Sequence, residues 1–293
     1  MENKGIIGTV CGDIIGSPYE FHSTKKFDFE LITPRSKFTD DTVMTCAVAE
    51  WLMEDPKHTH ESLIKIMHRY GEEYPNVGYG GMFKKWLENH CTEPYNSFGN
   101  GSAMRVSPVA YYAKSLEEAL QLAEISAEVT HNHPEGIIGA KAVAAAIFIM
   151  REDGGLPHYA WERVEKYIEK YFFYKLHYTM NEWEEHIQNY KFDVTCQGSV
   201  PEAINCAMGS IDYEYCIRQA ITLGGDADTQ AAITGGIVAA YRPVPNHILE
   251  PCLERLDPPL VDTIEQFNSF CKRRLYKPRK KITPEERAAI IIT

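Results

Sequence analysis

Apolar residues recur at three- and four-residue spacing in segment after segment, the period of helices with one buried face. Between 59 and 70 they are Leu63, Ile64, Ile66, Met67 and Tyr70, and in the aromatic-rich stretch 161–174 they fall at 161, 164, 168 and 171. Further helices are predicted over 43–54, 82–87, 137–150, 246–255 and 258–276, with a short last one from Thr283. Boundary residues agree. Ser115-Leu116-Glu117-Glu118 and Thr179-x-x-Glu182 are capping boxes, in which a hydroxyl and a glutamate satisfy end N–H groups reciprocally. Pro134 suits a first helical position. Pro201 is expected to open a helix, and Asp212 to cap one running to Leu223. Gly8, Gly12 and Gly16 fall near one face of a helix over residues 5–17, suited to close helix approach, while Asp13 and Glu20 are not explained by packing. Strand candidates are two short runs, 27–32 and 192–195. The reading is all-α: one compact multi-helix domain over 1–276, followed by a tail over 277–293 with a short helix.

Composition narrows the function. Hydrophobic residues make up 44% of the 293 and charged residues 24%, with a net charge of −11. That balance suits a globular chain with a sizeable core, and disfavours general nucleic-acid binding, which wants a basic surface. The eight cysteines are scattered with no C-x-x-C pair, so the expectation is reduced thiols and neither a disulfide framework nor a zinc site. The N-terminal apolar stretch is soon interrupted by Asp13. It reads as neither signal peptide nor membrane span, and the expected location is the cytoplasm. Residues 272–281 hold seven basic residues and no acid, and are read as a solvated helix end.

Two short stretches concentrate the chemistry. Thr39-Asp40-Asp41-Thr42 and Gly224-Gly225-Asp226-Ala227-Asp228-Thr229 each place acids and hydroxyls at the start of an apolar run. A helix dipole favours acids there, yet capping can use a single oxygen and does not require three oxygen-bearing residues in succession, twice. Hard oxygen donors without clustered Cys or His suit Mg²⁺, Mn²⁺ or Ca²⁺. Neither stretch fits the calcium loop D-x-[DN]-x-[DN]-G. Brought together, the four aspartates would repel one another, and a pair of divalent ions would relieve that repulsion. Ser97-Phe98-Gly99-Asn100-Gly101-Ser102-Ala103-Met104-Arg105 and Gly78-Tyr79-Gly80-Gly81 are small-residue loops before helices, suited to phosphate. Thr130-His131-Asn132-His133-Pro134 gathers polar groups at another helix start.

Taken in order, these stretches resemble the ADP-ribosylglycohydrolase family, which includes the dinitrogenase-reductase-activating glycohydrolases. The resemblance also uses Gly12-Asp13-Ile14-Ile15-Gly16-Ser17-Pro18-Tyr19-Glu20 and Gln197-Gly198-Ser199-Val200-Pro201-Glu202-Ala203, and spans about residues 5–240. It implies an orthogonal all-α fold and a two-magnesium centre, with Mn²⁺ as a substitute. Thr39, Asp40, Asp41, Asp226, Asp228 and Thr229 would be the ligands. Ser97, Phe98, Gly99 and Asn100 match a segment that holds phosphates and adenine, Gly80 and Gly81 a second diphosphate loop, and His131 a ligand-contacting histidine. Glu20 matches a glutamate near the metals, and either Glu20 or Asp228 would assist proton transfer. Two departures stand out: Ala227 where threonine or serine is common, and Gln230 where the residue is usually apolar.

The implied reaction is hydrolysis of the N- or O-glycosidic bond between ADP-ribose and a modified group on a protein or small molecule. ADP-ribosyl-arginine is the family default, and ADP-ribosylated nucleic acid stays open. No membrane partner is expected. A non-catalytic ADP-ribose-binding relative on the same fold is the alternative. A prenyl-diphosphate synthase wants D-D-x-x-D, and Asp40-Asp41-Thr42-Val43-Met44 lacks the final acid.

Overall fold

The computed structural model describes residues 2–152, 157–176, 180–209 and 212–275. Its helices in chain order are α1 (Ile7–Gly16), α2 (Asp40–Glu54), α3 (His60–Glu73), α4 (Gly81–Glu88), α5 (Gly101–Met104), α6 (Ser107–Tyr112), α7 (Leu116–Glu128), α8 (Pro134–Glu152), α9 (Pro157–Phe172), α10 (Met180–Asn189), α11 (Cys196–Met208), α12 (Tyr213–Thr222), α13 (Ala227–Val238), α14 (Asn246–Leu253) and α15 (Pro258–Leu275). The all-α expectation holds.

α1 and α13 lie at the centre, and every residue of both is buried. A helix enclosed on all sides needs no polar face. They meet without intervening side chains. A Cβ added at Gly12 would stand 2.1 Å from the Ala231 carbonyl oxygen, and one at Gly16 would stand 2.4 Å from that of Ala227. Two phenols fasten the seam: Tyr213 donates to the Gly8 carbonyl at 2.6 Å and Tyr111 to the Gly236 carbonyl at 2.7 Å. Around this pair pack α2, α8, α11, α12 and α14.

The caps mostly follow the sequence. Thr39, Thr59, Ser115 and Asp212 each accept a backbone N–H at the helix they precede. Gly224 takes φ +69°, a left-handed turn that ends α12 and lets the chain enter α13. Thr179 and the tail beyond residue 275 lie outside the described residues.

Two expectations are corrected. Neither 27–32 nor 192–195 is a strand. Among the described residues the sole bridge is antiparallel, between Gly99 and Thr195. Three carbonyls of the 27–32 stretch accept from side chains instead: Arg218 donates to Phe27 and Phe29, and the Tyr19 hydroxyl to Glu30. Pro201 does not open its helix. α11 begins at Cys196 behind Thr195, whose hydroxyl accepts from the Gly198 N–H at 3.1 Å. A good cap upstream lets the helix carry a proline at the loss of one backbone bond.

The seam makes a testable contrast. Gly12→Ala is expected to destabilise by about 1–3 kcal/mol or more, because the new methyl meets fixed backbone. Gly81→Ala, where a Cβ meets nothing within 4 Å, should stay within about 0.5 kcal/mol of the parent. Urea denaturation of the two variants measures the difference.

Candidate active site

Asp13 sits on α1, fully buried, one residue past Gly12. Its carboxylate accepts four hydrogen bonds from the start of α2: the Thr39 N–H at 2.9 Å, the Thr39 hydroxyl at 2.7 Å, the Thr42 N–H at 3.1 Å and the Thr42 hydroxyl at 2.5 Å. These bonds fix where α2 begins, and so where Asp40 and Asp41 stand. On α13 the Asp226 carboxylate makes no capping bond. It turns to Asn100, whose side-chain amide donates at 2.6 Å. The Thr229 hydroxyl donates to Asp41 at 3.3 Å, closing the two stretches on each other. Asp13, Asp41 and Asp228 have carboxylate oxygens within 4.8 Å of one another, and so do Glu20, Asp226 and Asp228.

So many acids in one place cannot all ionise alone. Burial, then the negative charge of their neighbours, pushes Asp40, Asp41 and Asp228 well above the usual carboxylate range. Burial lifts Asp226 to about 6 against the Asn100 hydrogen bond that lowers it, and burial followed by the charge of Asp228 lifts Glu20 to about 8. Asp41 also keeps a buried Oδ1 with no hydrogen-bond partner. An orphaned oxygen within an all-oxygen, mutually repelling donor set fits a hard divalent cation. Thr39, Asp40, Asp41, Asp226, Asp228 and Thr229 supply oxygens that could hold one.

The acids floor a cavity of about 710 Å³. Of the other residues singled out from sequence, Glu20, Gly80, Gly81, Ser97, Gly99, Asn100 and His131 line it. Thr39 lies beneath the floor, bonded to Asp13. Phe98 is not on the wall; its ring is 45% exposed and leans on His133. Arg105 donates to the Thr130 hydroxyl oxygen at 2.8 Å, and that hydroxyl shares a hydrogen bond with His131 Nδ1, 2.7 Å away. His131 Nε2 lies beside Gly101, where a Cβ would approach within 3.0 Å. Burial, then the Arg105 charge, holds His131 well below its usual pKa, so it faces the cavity as a neutral ring.

Sequence reasoning left Asp13 unassigned, although it is the common anchor of the first acid stretch. An acid inside an otherwise apolar, glycine-stepped helix was the available signal. Phe21, Tyr79, Tyr95, Arg105 and Phe192 also line the cavity. Nothing periodic marks them, because they come from loops and helix ends.

A family model described as ADP-ribosylglycohydrolase matches residues 4–282. The chain belongs to the ADP-ribosylglycohydrolase family. It is 26% identical to ADP-ribosylhydrolase ARH3 of Mus musculus, covering 80% of this chain and 82% of that one. To the ADP-ribosylarginine hydrolase Tri1 of Serratia proteamaculans it is 24% identical, covering 86% and 74%. A protein of Archaeoglobus fulgidus with no assigned activity is 30% identical over 80% of this chain and 85% of that one. A solved structure described as an ADP-ribosylglycohydrolase-related protein complex shares the fold, with TM-score 0.70 at 21% identity over 92% of this chain and 96% of that one.

The raised pKa values set the direction of a pH effect. A carboxyl whose pKa is higher folded than unfolded stabilises the protein below its unfolded value of about 4, and that contribution is lost as pH rises through the folded value. For Asp226 and Glu20 the loss runs from about 4 up to about 6 and about 8. A divalent cation favours the ionised forms. The rise in Tm on adding Mg²⁺ is therefore expected to grow from pH 5 to pH 8, and a gain independent of pH would refute a carboxylate-held ion.

Proposed function

We propose that this protein is a magnesium-dependent ADP-ribosylglycohydrolase that cleaves the bond between the distal ribose of ADP-ribose and a protein side chain. The observation that carries this reading is the meeting of two carboxylate triads that share Asp228, with every member but Asp13 lining one cavity. Family membership, and the printed activities of the ARH3 and Tri1 relatives, support the choice of ADP-ribose. The cavity also holds Lys85 and Arg105, which suit the negative diphosphate.

The reaction replaces the bond from the anomeric carbon to the leaving group with a bond to water oxygen, and the leaving group takes a proton. Positive charge grows on the anomeric carbon and ring oxygen on the way. A carboxylate-rich floor opposes that charge with groups already in place. Two magnesium ions, or manganese in their stead, held by Thr39, Asp40, Asp41, Asp226, Asp228 and Thr229, would polarise ribose hydroxyls and water. Glu20 is part-buried at the edge of the acid floor, and burial followed by the charge of Asp228 raises its pKa. Those properties support Glu20 as the group that protonates the departing atom. Asp228, fully enclosed among acids, supports the floor. His131 and the Asn100 segment orient the rest of the ligand. The free cysteines and the absence, among the described residues, of any helix long and apolar enough to cross a membrane accord with work in the cytoplasm.

Asp41→Asn and Asp228→Asn are each expected to lower kcat by at least about 10²-fold with the helical circular dichroism unchanged. Near-parental turnover by both would sink the assignment of the floor. Mass spectrometry of defined ADP-ribosylated arginine and serine peptides, with and without Mg²⁺, is expected to show release of intact ADP-ribose only with the ion. No release from any substrate would favour a binding protein on this fold.

A further inference from the structure

We propose that Phe21 and Phe192 form the subsite that receives the leaving group, and that this subsite prefers a planar cation, a guanidinium, over an aliphatic hydroxyl. The proposal deepens the glycohydrolase reading and rests on it. The two rings come from distant parts of the chain and meet with centroids 6.2 Å apart and planes 30° from parallel. Both line the cavity, yet they remain 76% and 48% exposed. A pair so open recovers little from burial. What it offers is an accessible π face on the wall of the cavity, and a flat cation stacks on such a face.

Position ties the pair to the reacting end. Phe21 directly follows Glu20, whose carboxylate lies within 4.8 Å of those of Asp226 and Asp228. A group leaving the anomeric carbon over that floor emerges beside Phe21. An aliphatic hydroxyl finds no partner in the ring faces, whereas a guanidinium can stack on them.

The two segments that carry the rings are tied to each other through Lys25 and Tyr190. Lys25 donates to the carbonyls of Ile187 at 2.6 Å, Tyr190 at 3.3 Å and Leu223, pinning the loop that carries Phe21. Tyr190, two residues before Phe192, gives its hydroxyl to the Gly198 carbonyl at 2.8 Å and accepts from the Gln230 amide at 2.7 Å. Its carbonyl thus fastens the Phe21 side and its ring fastens the Phe192 side to α13. Gln230, the polar residue where the family is usually apolar, has a use here: it braces Tyr190.

The test compares leaving groups at a constant ADP-ribose. Phe21→Ala and Phe192→Ala are expected to raise KM for an ADP-ribosyl-arginine peptide about fivefold to tenfold more than for an ADP-ribosyl-serine peptide, with kcat moving less than KM. Phe21→Tyr should restore the arginine preference, and Phe21→Leu, which keeps bulk without a π face, should not. Equal losses on both peptides, or a matching loss of affinity for free ADP-ribose, would assign the rings to closure or to adenine and overturn the proposal. A larger loss on an ADP-ribosylated nucleobase than on the arginine peptide would overturn the choice of guanidinium. If the parent protein hydrolyses none of these, the glycohydrolase reading fails by itself. The same ratios are then read as equilibrium affinities by calorimetry, where an arginine-selective loss upholds the subsite and its absence rejects it.

Discussion

The contact on which everything else depends is the approach of α1 and α13, backbone against backbone. A Cβ at Gly16 would stand 2.5 Å from the Asp228 Cα, so the helix bearing Asp13 and the helix end bearing Asp228 are as near as peptide chains can pack. No longer spacing would let the two acids face each other across so little space. Alanine-scale side chains along the seam would push the helices apart by more than a carboxylate-to-ion distance tolerates. The glycines therefore set the geometry of the acids, although none of Gly8, Gly12 or Gly16 touches the cavity.

That closeness works against stability. Buried carboxylates repel one another and lose their hydration. The structure answers part of this with hydrogen bonds. Four donors from Thr39 and Thr42 meet Asp13, Asn100 meets Asp226 and the Thr229 hydroxyl meets Asp41. The remainder, including the orphaned Asp41 Oδ1, stays uncompensated by protein, which is characteristic of a floor made to be completed by something positive. Functional sites commonly hold such unrelieved strain, and the surrounding core over-determines it.

Much of this could be read from the chain. Helical periodicity and caps located most elements, because a helix writes its own buried face and its own ends into local sequence. The acid stretches were legible because three successive oxygen-bearing residues exceed what capping needs. Asp13 was not assigned, since its role lies in bonds to residues 26 and 29 positions away, and such pairings leave no local pattern. Phe192 was taken for part of a strand for a related reason. Its segment is apolar and extended, but it pairs at a single bridge and spends its side chains on a rim. Pro201 misled because a proline is a good opening residue, and only the Thr195–Gly198 bond shows that the helix had already begun.

The bond from Thr229 to Asp41 spans 188 residues. Translation delivers α1 and the first acid stretch early, and their partner helix only after most of the chain has been made. Pairings this distant in sequence form late, because the intervening loop must first be closed. The enclosed N-terminal helix has no complete burial until α13 leaves the ribosome, and the two acid groups do not confront each other before then. A chain cut short just upstream of Asp226 holds Asp13, Glu20, Asp40 and Asp41 but lacks Asp226 and Asp228, the acid that the two triads share. The complete acid set therefore exists only where both ends of the chain have come together.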